Sequence, residues 1–210
     1  LTLSEHTPYA HVDGVALFYG PFTGAFTITA ALADELAGLA QVVFPDTTSL
    51  GGTYPQSGVT EATVSHVYTF TAASTLTAAP AVAATDRATN VTTDTFRLTR
   101  DAEPPQVWLD VPRRVYSGAA SIPVTWGATD DTSGVARYDV QVRVEGGDWT
   151  TWLTDTLATE ATYVAEEGEW FTFRVTATDN ACNKRRLEPG QRRDLLARRA
   201  CDQILLPRRS

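Results

Sequence analysis

Any chemistry in this chain must come from its carboxylates, three histidines, two cysteines and five tryptophans. His6, His11 and His66 lack the neighbouring nucleophile and acid of a triad loop, and no Gly-x-Ser-x-Gly occurs. No glycine-rich phosphate loop precedes a helix. No catalytic residue is therefore named, and the expectation is a non-enzyme. His66 shares the parity of Val64 and Tyr68, which on a strand turns it toward a core.

The acids are placed more suggestively. Asp34 with Glu35, and Asp130 with Asp131, sit where a strand runs into a loop. Asp86 with Asn90, and Asp179 with Asn183, sit at a second strand end, while Asp101 and Glu103 lie in a proline-bearing joint. Calcium takes six to eight hard oxygens, which carboxylates and amide carbonyls supply. Asp34, Glu35, Asp86, Asp101, Asp130, Asp131, Asp179 and Asn183 are thus the candidate calcium ligands, and calcium is the one cofactor suggested. The competing reading is that Asp and Asn cap turns through their own backbone. Without a full calcium-loop motif, that reading weighs more.

All five tryptophans lie between Trp108 and Trp170. Trp126 falls on an inward face. Trp149 and Trp152, three apart on a strand, point to opposite faces, and they are the candidate glycan platforms. Cys182 and Cys201 are the only cysteines. A bridge between them would close a short loop and contribute roughly 3 kcal/mol. If residues 191–198 were a strand, however, the sulfurs would lie about 26 Å apart. Either the tail doubles back or the cysteines stay separate. Asn90-Val91-Thr92 is a glycosylation sequon.

These residues recur because the chain repeats itself. Ala25 to Leu39 returns as Ser121 to Val135, matching Asp34 with Asp130 and Gly38 with Gly134, 96 positions on. Ala84 to Asn90 returns as Ala177 to Asn183, 93 positions on. A period this long is a whole domain rather than a solenoid unit. The length of 210 residues suits two such domains. Ile122, Val124 and Trp126, then Tyr138, Val140, Val142 and Val144, then Phe171, Phe173, Val175 and Ala177, alternate with polar residues at the strand period. Gly146-Gly147-Asp148 supplies a hairpin turn. Ala30 to Ala40 has helical spacing, but its counterpart contains Gly127, Asp130, Asp131 and Gly134, so the repeat argues for strand end, loop and next strand.

The division expected is a leader over 1–13, a sandwich over 14–100, a stiff linker over 101–105, a second sandwich over 106–190 and a basic tail over 191–210. Thr93 to Leu98 closes the first domain. The second lacks an equally good closing strand, and the threonine-bearing leader is free to fill such an edge in another copy. Residues 1–183 carry a net charge of −14 and residues 184–210 a net of +6. The acidic part disfavours nucleic acid and anionic membranes. The basic tail is either a solvated extension or a partner for an acidic surface, including that of a neighbouring copy. No long apolar segment suggests membrane insertion.

Ala128 to Val142, with Gly147 to Leu153 and Phe171 to Ala181, resembles the bacterial extracellular immunoglobulin-like and fibronectin type III-like repeats. Many of those repeats end a strand in Ala-x-Asp-x-Ala-Gly-Asn, and here Thr89 and Cys182 stand at the glycine position. The resemblance covers about residues 14–183. It implies an all-β chain of two tandem antiparallel β-sandwich domains with a short basic C-terminal extension. It further implies a non-catalytic extracellular or cell-surface module of a stalk, adhesin or polymerising filament, with copies of itself or other surface proteins as partners. The alternative is an accessory glycan-binding module of a secreted hydrolase.

Overall fold

A computed structural model describes residues 1–45, 54–57, 62–111, 120–165 and 171–187, with 54–57 and 120 described by backbone only. Seventeen strands and no helix occur among the described residues. The chain divides into two compact units. One holds Leu1–Glu103 together with Asp131–Ser133 and Asn180–Asn183; the other holds the remaining residues.

The first unit contains β1 (Thr2–Glu5), β2 (Ala10–Asp13), β3 (Ala16–Tyr19), β4 (Gly24–Ala31), β5 (Leu39–Phe44), β6 (Tyr54–Ser57), β7 (Thr63–Phe70), β8 (Ala81–Asp86), β9 (Val91–Thr95) and β10 (Arg97–Arg100). They form sheets ordered β1-β4-β7, β6-β5-β8-β9 and β10-β3-β2. The period-two pattern buries Phe26, Ile28 and Ala30 of β4 and Val64, Tyr68 and Phe70 of β7 in one core with Val42 and Phe44 of β5. The helical spacing over Ala30 to Ala40 does not make a helix: β4 ends at Ala31 and β5 starts at Leu39.

Two expectations are corrected here. Residues 1–13 are not a free leader. β1 pairs with β4, β2 with β3, and Leu3 and Ala10 are buried in the core. A strand so engaged is unavailable as a donor to another copy. The closing segment Thr93 to Leu98 is likewise two strands. β9 pairs antiparallel with β8, Phe96 is buried, and β10 then pairs parallel with β3.

The second unit contains β11 (Gln106–Asp110), β12 (Ala120–Thr129), β13 (Val135–Val144), β14 (Thr150–Thr156), β15 (Glu160–Ala165), β16 (Phe171–Asp179) and β17 (Lys184–Leu187). A three-stranded sheet β11-β12-β15 and a four-stranded sheet β14-β13-β16-β17 enclose a core centred on Trp126, Val140, Phe173 and Val175. The edge beside β16, expected to lack a good strand, carries β17, with Leu187 buried. Gly146, at φ 76°, turns β13 into β14 as the hairpin requires. This is an all-β fold of sandwich units.

The repeat holds at backbone level. β5 slips against β8 between Leu39 and Gln41, and β13 slips against β16 between Val135 and Arg137, the equivalent place. Gly38 and Gly134 share φ 78°. At the position where similar repeats carry glycine, Thr89 and Cys182 adopt φ 70° and 67°. The left-handed turn is therefore kept without the residue that reaches it at no steric cost, because the strands on either side dictate its geometry.

Candidate functional site

The acid-bearing loops gather as the repeat foretells, and their first job is to shape turns. In the first unit, Leu36 N–H (3.1 Å) and Gly38 N–H (2.6 Å) donate to Asp34 Oδ1. Asn90 donates its backbone N–H to Asp86 Oδ1 (2.8 Å) and its Nδ2 to Asp86 Oδ2 (2.7 Å). The Asn90 amide bond, with backbone N–H groups assisting, holds the Asp86 carboxyl below its ordinary pKa. Glu35 is exposed. In the second unit, Gly134 N–H donates to Asp130 Oδ1 (2.8 Å), the counterpart of the Asp34 turn. Asp131, of the segment that joins the first unit, is exposed.

The first unit is completed by its two later segments. Asp101 is almost fully buried, and its Oδ2 accepts the backbone N–H (3.2 Å) and the hydroxyl of Ser133. Its Oδ1 accepts Glu103 N–H (3.2 Å). Asn183 Nδ2 donates to the Asp101 carbonyl (3.1 Å), and Asn180 Nδ2 to the Ser133 carbonyl (2.8 Å). Gly20 lets this segment close in, since a Cβ there would strike the Ala181 carbonyl. Cys182 Sγ donates to the Pro8 carbonyl (2.7 Å). Ser133 and Asn180 were not singled out from the sequence. Their signal was their place in the repeat, beside acids that were.

Asp130 and Asp179 of the second unit offer carboxylate oxygens within 4.8 Å of one another, and Asp179 is fully buried. Two carboxylates at this spacing can hold a hard cation in part; calcium needs six to eight oxygens. Asp34 is engaged by its own turn through Oδ1, and Asp86 through both oxygens.

The tryptophans separate into three roles. Trp126 is fully buried. Trp152 lies edge-on to Trp126 (centroids 6.2 Å) and to Tyr163 (5.4 Å), packed against the core rather than presented as a platform. Trp149 is gripped by two guanidinium groups, Arg174 at 4.2 Å and Arg143 at 4.7 Å from the ring centre. Trp108, which was not a candidate, is the exposed tryptophan among the described residues, 38% accessible. Its indole rests on the bare backbone of Gly127, opposite it across the β11–β12 pair.

His66 is half-buried, edge-on to Tyr68 (4.6 Å) and tilted against Phe44 (5.5 Å), as its parity requires. Desolvation lowers its pKa. His6 Nε2 meets Thr27 Oγ1 (2.7 Å), and His11 stacks on Phe18 (6.4 Å). Asn90 of the sequon is exposed, with its amide turned onto Asp86. The proposed Cys182–Cys201 pairing and the whole 191–210 tail lie outside the described residues. No helix among the described residues is long and apolar enough to cross a membrane.

No family model matches the chain, and no curated protein matches it. Among solved structures, fibronectin(III)-like modules of Clostridium thermocellum CbhA are similar over 100% of this chain and 99% of theirs, at 13% identity and a TM-score of 0.40. Domains from titin align over 83% of this chain at 15% identity and a TM-score of 0.48. The Yersinia pseudotuberculosis adhesin InvE aligns over 82% at 15% identity and a TM-score of 0.28. This chain spans only 59% and 55% of those last two.

Proposed function

We propose that the chain is a non-catalytic structural module of the extracellular space, a segment of a surface stalk or filament whose units are joined end to end. The observation that carries this reading is the fastening of Asp101. A carboxylate one residue beyond the last strand of the first unit is buried against Ser133 and backed by Asn183 and Asn180. Burying a charge is costly unless it is hydrogen-bonded. A carboxylate held this way stabilises the first unit from within, and a group so engaged suits a structural module rather than a reactive one. The acidic body and polar strand exteriors agree with a solvated structural module.

Negative-stain imaging with sedimentation velocity tests the reading. Rods or end-to-end strings that lengthen with concentration are expected. Compact monomers at every concentration would overturn the filament.

A glycan-binding role is the second reading, and Trp108 favours it. A half-exposed indole with one side seated on Gly127 offers its other side to a sugar ring, with Gln106 and Asp110 exposed on the same strand face. Affinity electrophoresis in soluble polysaccharide should show retardation that Trp108→Ala abolishes. Equal mobility of both proteins removes this reading.

A further inference from the structure

The two loop pairs share one scaffold and differ in what they hold. Asp34 and Asp130 cap their turns through the same atom, onto Gly38 and Gly134 respectively. Thr89 and Cys182 take the same left-handed turn. In the later copy of this scaffold, Ser133 N–H and hydroxyl receive the Asp101 carboxylate, while Asn183 receives its carbonyl. By the repeat, the counterparts of Ser133, Asn180 and Asn183 in the earlier copy are Ala37, Arg87 and Asn90.

That earlier loop pair is open. Ala37 N–H, the counterpart of the Ser133 donor, makes no hydrogen bond among the described residues, and the exposed Arg87 guanidinium makes no ion pair among them. Asn90 is folded back onto Asp86. A concavity of about 480 Å³ lined by Leu32, Asp34, Glu35, Gly38, Ala62 and Arg87 lies between the loops. Leu36, in the same loop as Asp34 and Glu35, is 99% exposed.

The chain contains a segment with the matching chemistry. Asp101 follows β10 by one residue and is followed by Glu103-Pro104-Pro105. Glu188 follows β17 by one residue and is followed by Pro189, then Arg192 and Arg193. Asp101 and Glu103 are already hydrogen-bonded within their own chain, which leaves the later segment as the one a second copy can offer.

We propose that residues 188–193 of one copy dock on the Asp34–Gly38 and Asp86–Asn90 loops of the next. The Glu188 carboxylate accepts from Ala37 N–H and from Arg87. Pro189 covers Leu36, and Arg192 and Arg193 face Asp34 and Glu35. The contact joins two different surfaces, so it repeats without closing and builds an open string. It deepens the filament reading and rests on it for its biological sense.

The test is a labelled peptide of residues 185–199 titrated onto the full chain, followed by fluorescence anisotropy. Saturable binding is expected, weakened about tenfold by Arg87→Glu, the scale of one charge-assisted hydrogen bond. Glu188→Lys in the peptide should weaken binding similarly. Combining the two should restore it, which a folding defect cannot imitate. Ala37→Pro, which removes the N–H, is the second variant and should also weaken binding. Equal binding of a scrambled peptide of the same composition, indifference to Arg87→Glu, or no saturation by about 1 mM would each overturn the proposal. Strings that persist in Arg87→Glu refute this docking and leave the filament reading standing. Peptide binding by a chain that stays monomeric does the reverse.

Discussion

Thr89 is a β-branched residue held at φ 70° on a surface turn, and its exchange for glycine isolates what that conformation costs. A left-handed L-residue is disfavoured by about 1–2 kcal/mol. Glycine removes that cost but adds unfolded-state freedom worth about 0.5–1 kcal/mol. Little else changes, because the Thr89 side chain is exposed and its N–H bond to the Asp86 carbonyl (3.2 Å) survives. Thr89→Gly should therefore stabilise the first unit by about 0.5–1 kcal/mol, or about 3–6 °C in Tm for a domain of about 100 residues. The reciprocal change is Gly38→Ala, at φ 78°. The nearest atoms to its new Cβ are Arg87 Nη1 at 3.9 Å and Cζ at 4.0 Å, so no clash contributes. It should lose about 1 kcal/mol from backbone strain alone. Urea titrations followed by far-UV circular dichroism read both. If Thr89→Gly lowers stability while Gly38→Ala is neutral, the strain argument is wrong.

Three further outcomes follow from particular side chains. Desolvation lowers the folded pKa of His66, so the unfolded chain binds the extra proton. Stability should be complete above the unfolded value near 6.5 and fall as pH drops below it, a slope that His66→Gln removes; identical slopes would contradict this. Gly127→Ala would place a Cβ 2.6 Å from Trp108 Cζ2, lifting the indole off the sheet. A loss of about 1–3 kcal/mol with red-shifted tryptophan emission is expected, and unchanged emission would show that the ring does not rest there. Because Asp34 Oδ1 and both Asp86 oxygens are engaged by their own turns, too few oxygens remain for a full calcium shell, and Tm of the first unit should coincide in EDTA and in about 1 mM calcium, a concentration that fills typical extracellular sites. A calcium-dependent rise would reinstate these residues as ligands.

Much of the fold was legible because a strand writes its two faces into alternate residues. Phe26, Ile28 and Ala30 in one repeat, and Ile122, Val124 and Trp126 in the other, are buried as that alternation requires. The repeat also overruled the helical spacing of Ala30 to Ala40, since Gly134 and Asp130 in the second copy make sense only as a loop. Residues 1–13 were misread because β1 and β2 are only four residues each. Too few alternations occur there to signal a buried face, and pairing with β4 and β3 is a long-range event.

The acids illustrate the same division. Residue type and repeat spacing marked Asp34, Asp86, Asp130 and Asp179 as special from sequence alone. Their uses diverge because a carboxylate's role depends on which donors the fold brings within 3 Å. Asp86 finds Asn90 four residues away, a local partner, whereas the Asp101 carboxylate finds Ser133 far along the chain. Trp108 makes the point for the aromatics. Its exposure depends on Gly127 lying opposite it across two strands, a register that no local pattern encodes. The alternation and the repeat thus determined strands, units and turn positions, because these are short-range properties of the chain. Which polar groups meet, and which loop pair is filled and which left open, was decided only by tertiary pairing, because hydrogen-bond partners distant in sequence are chosen by the closed sheets.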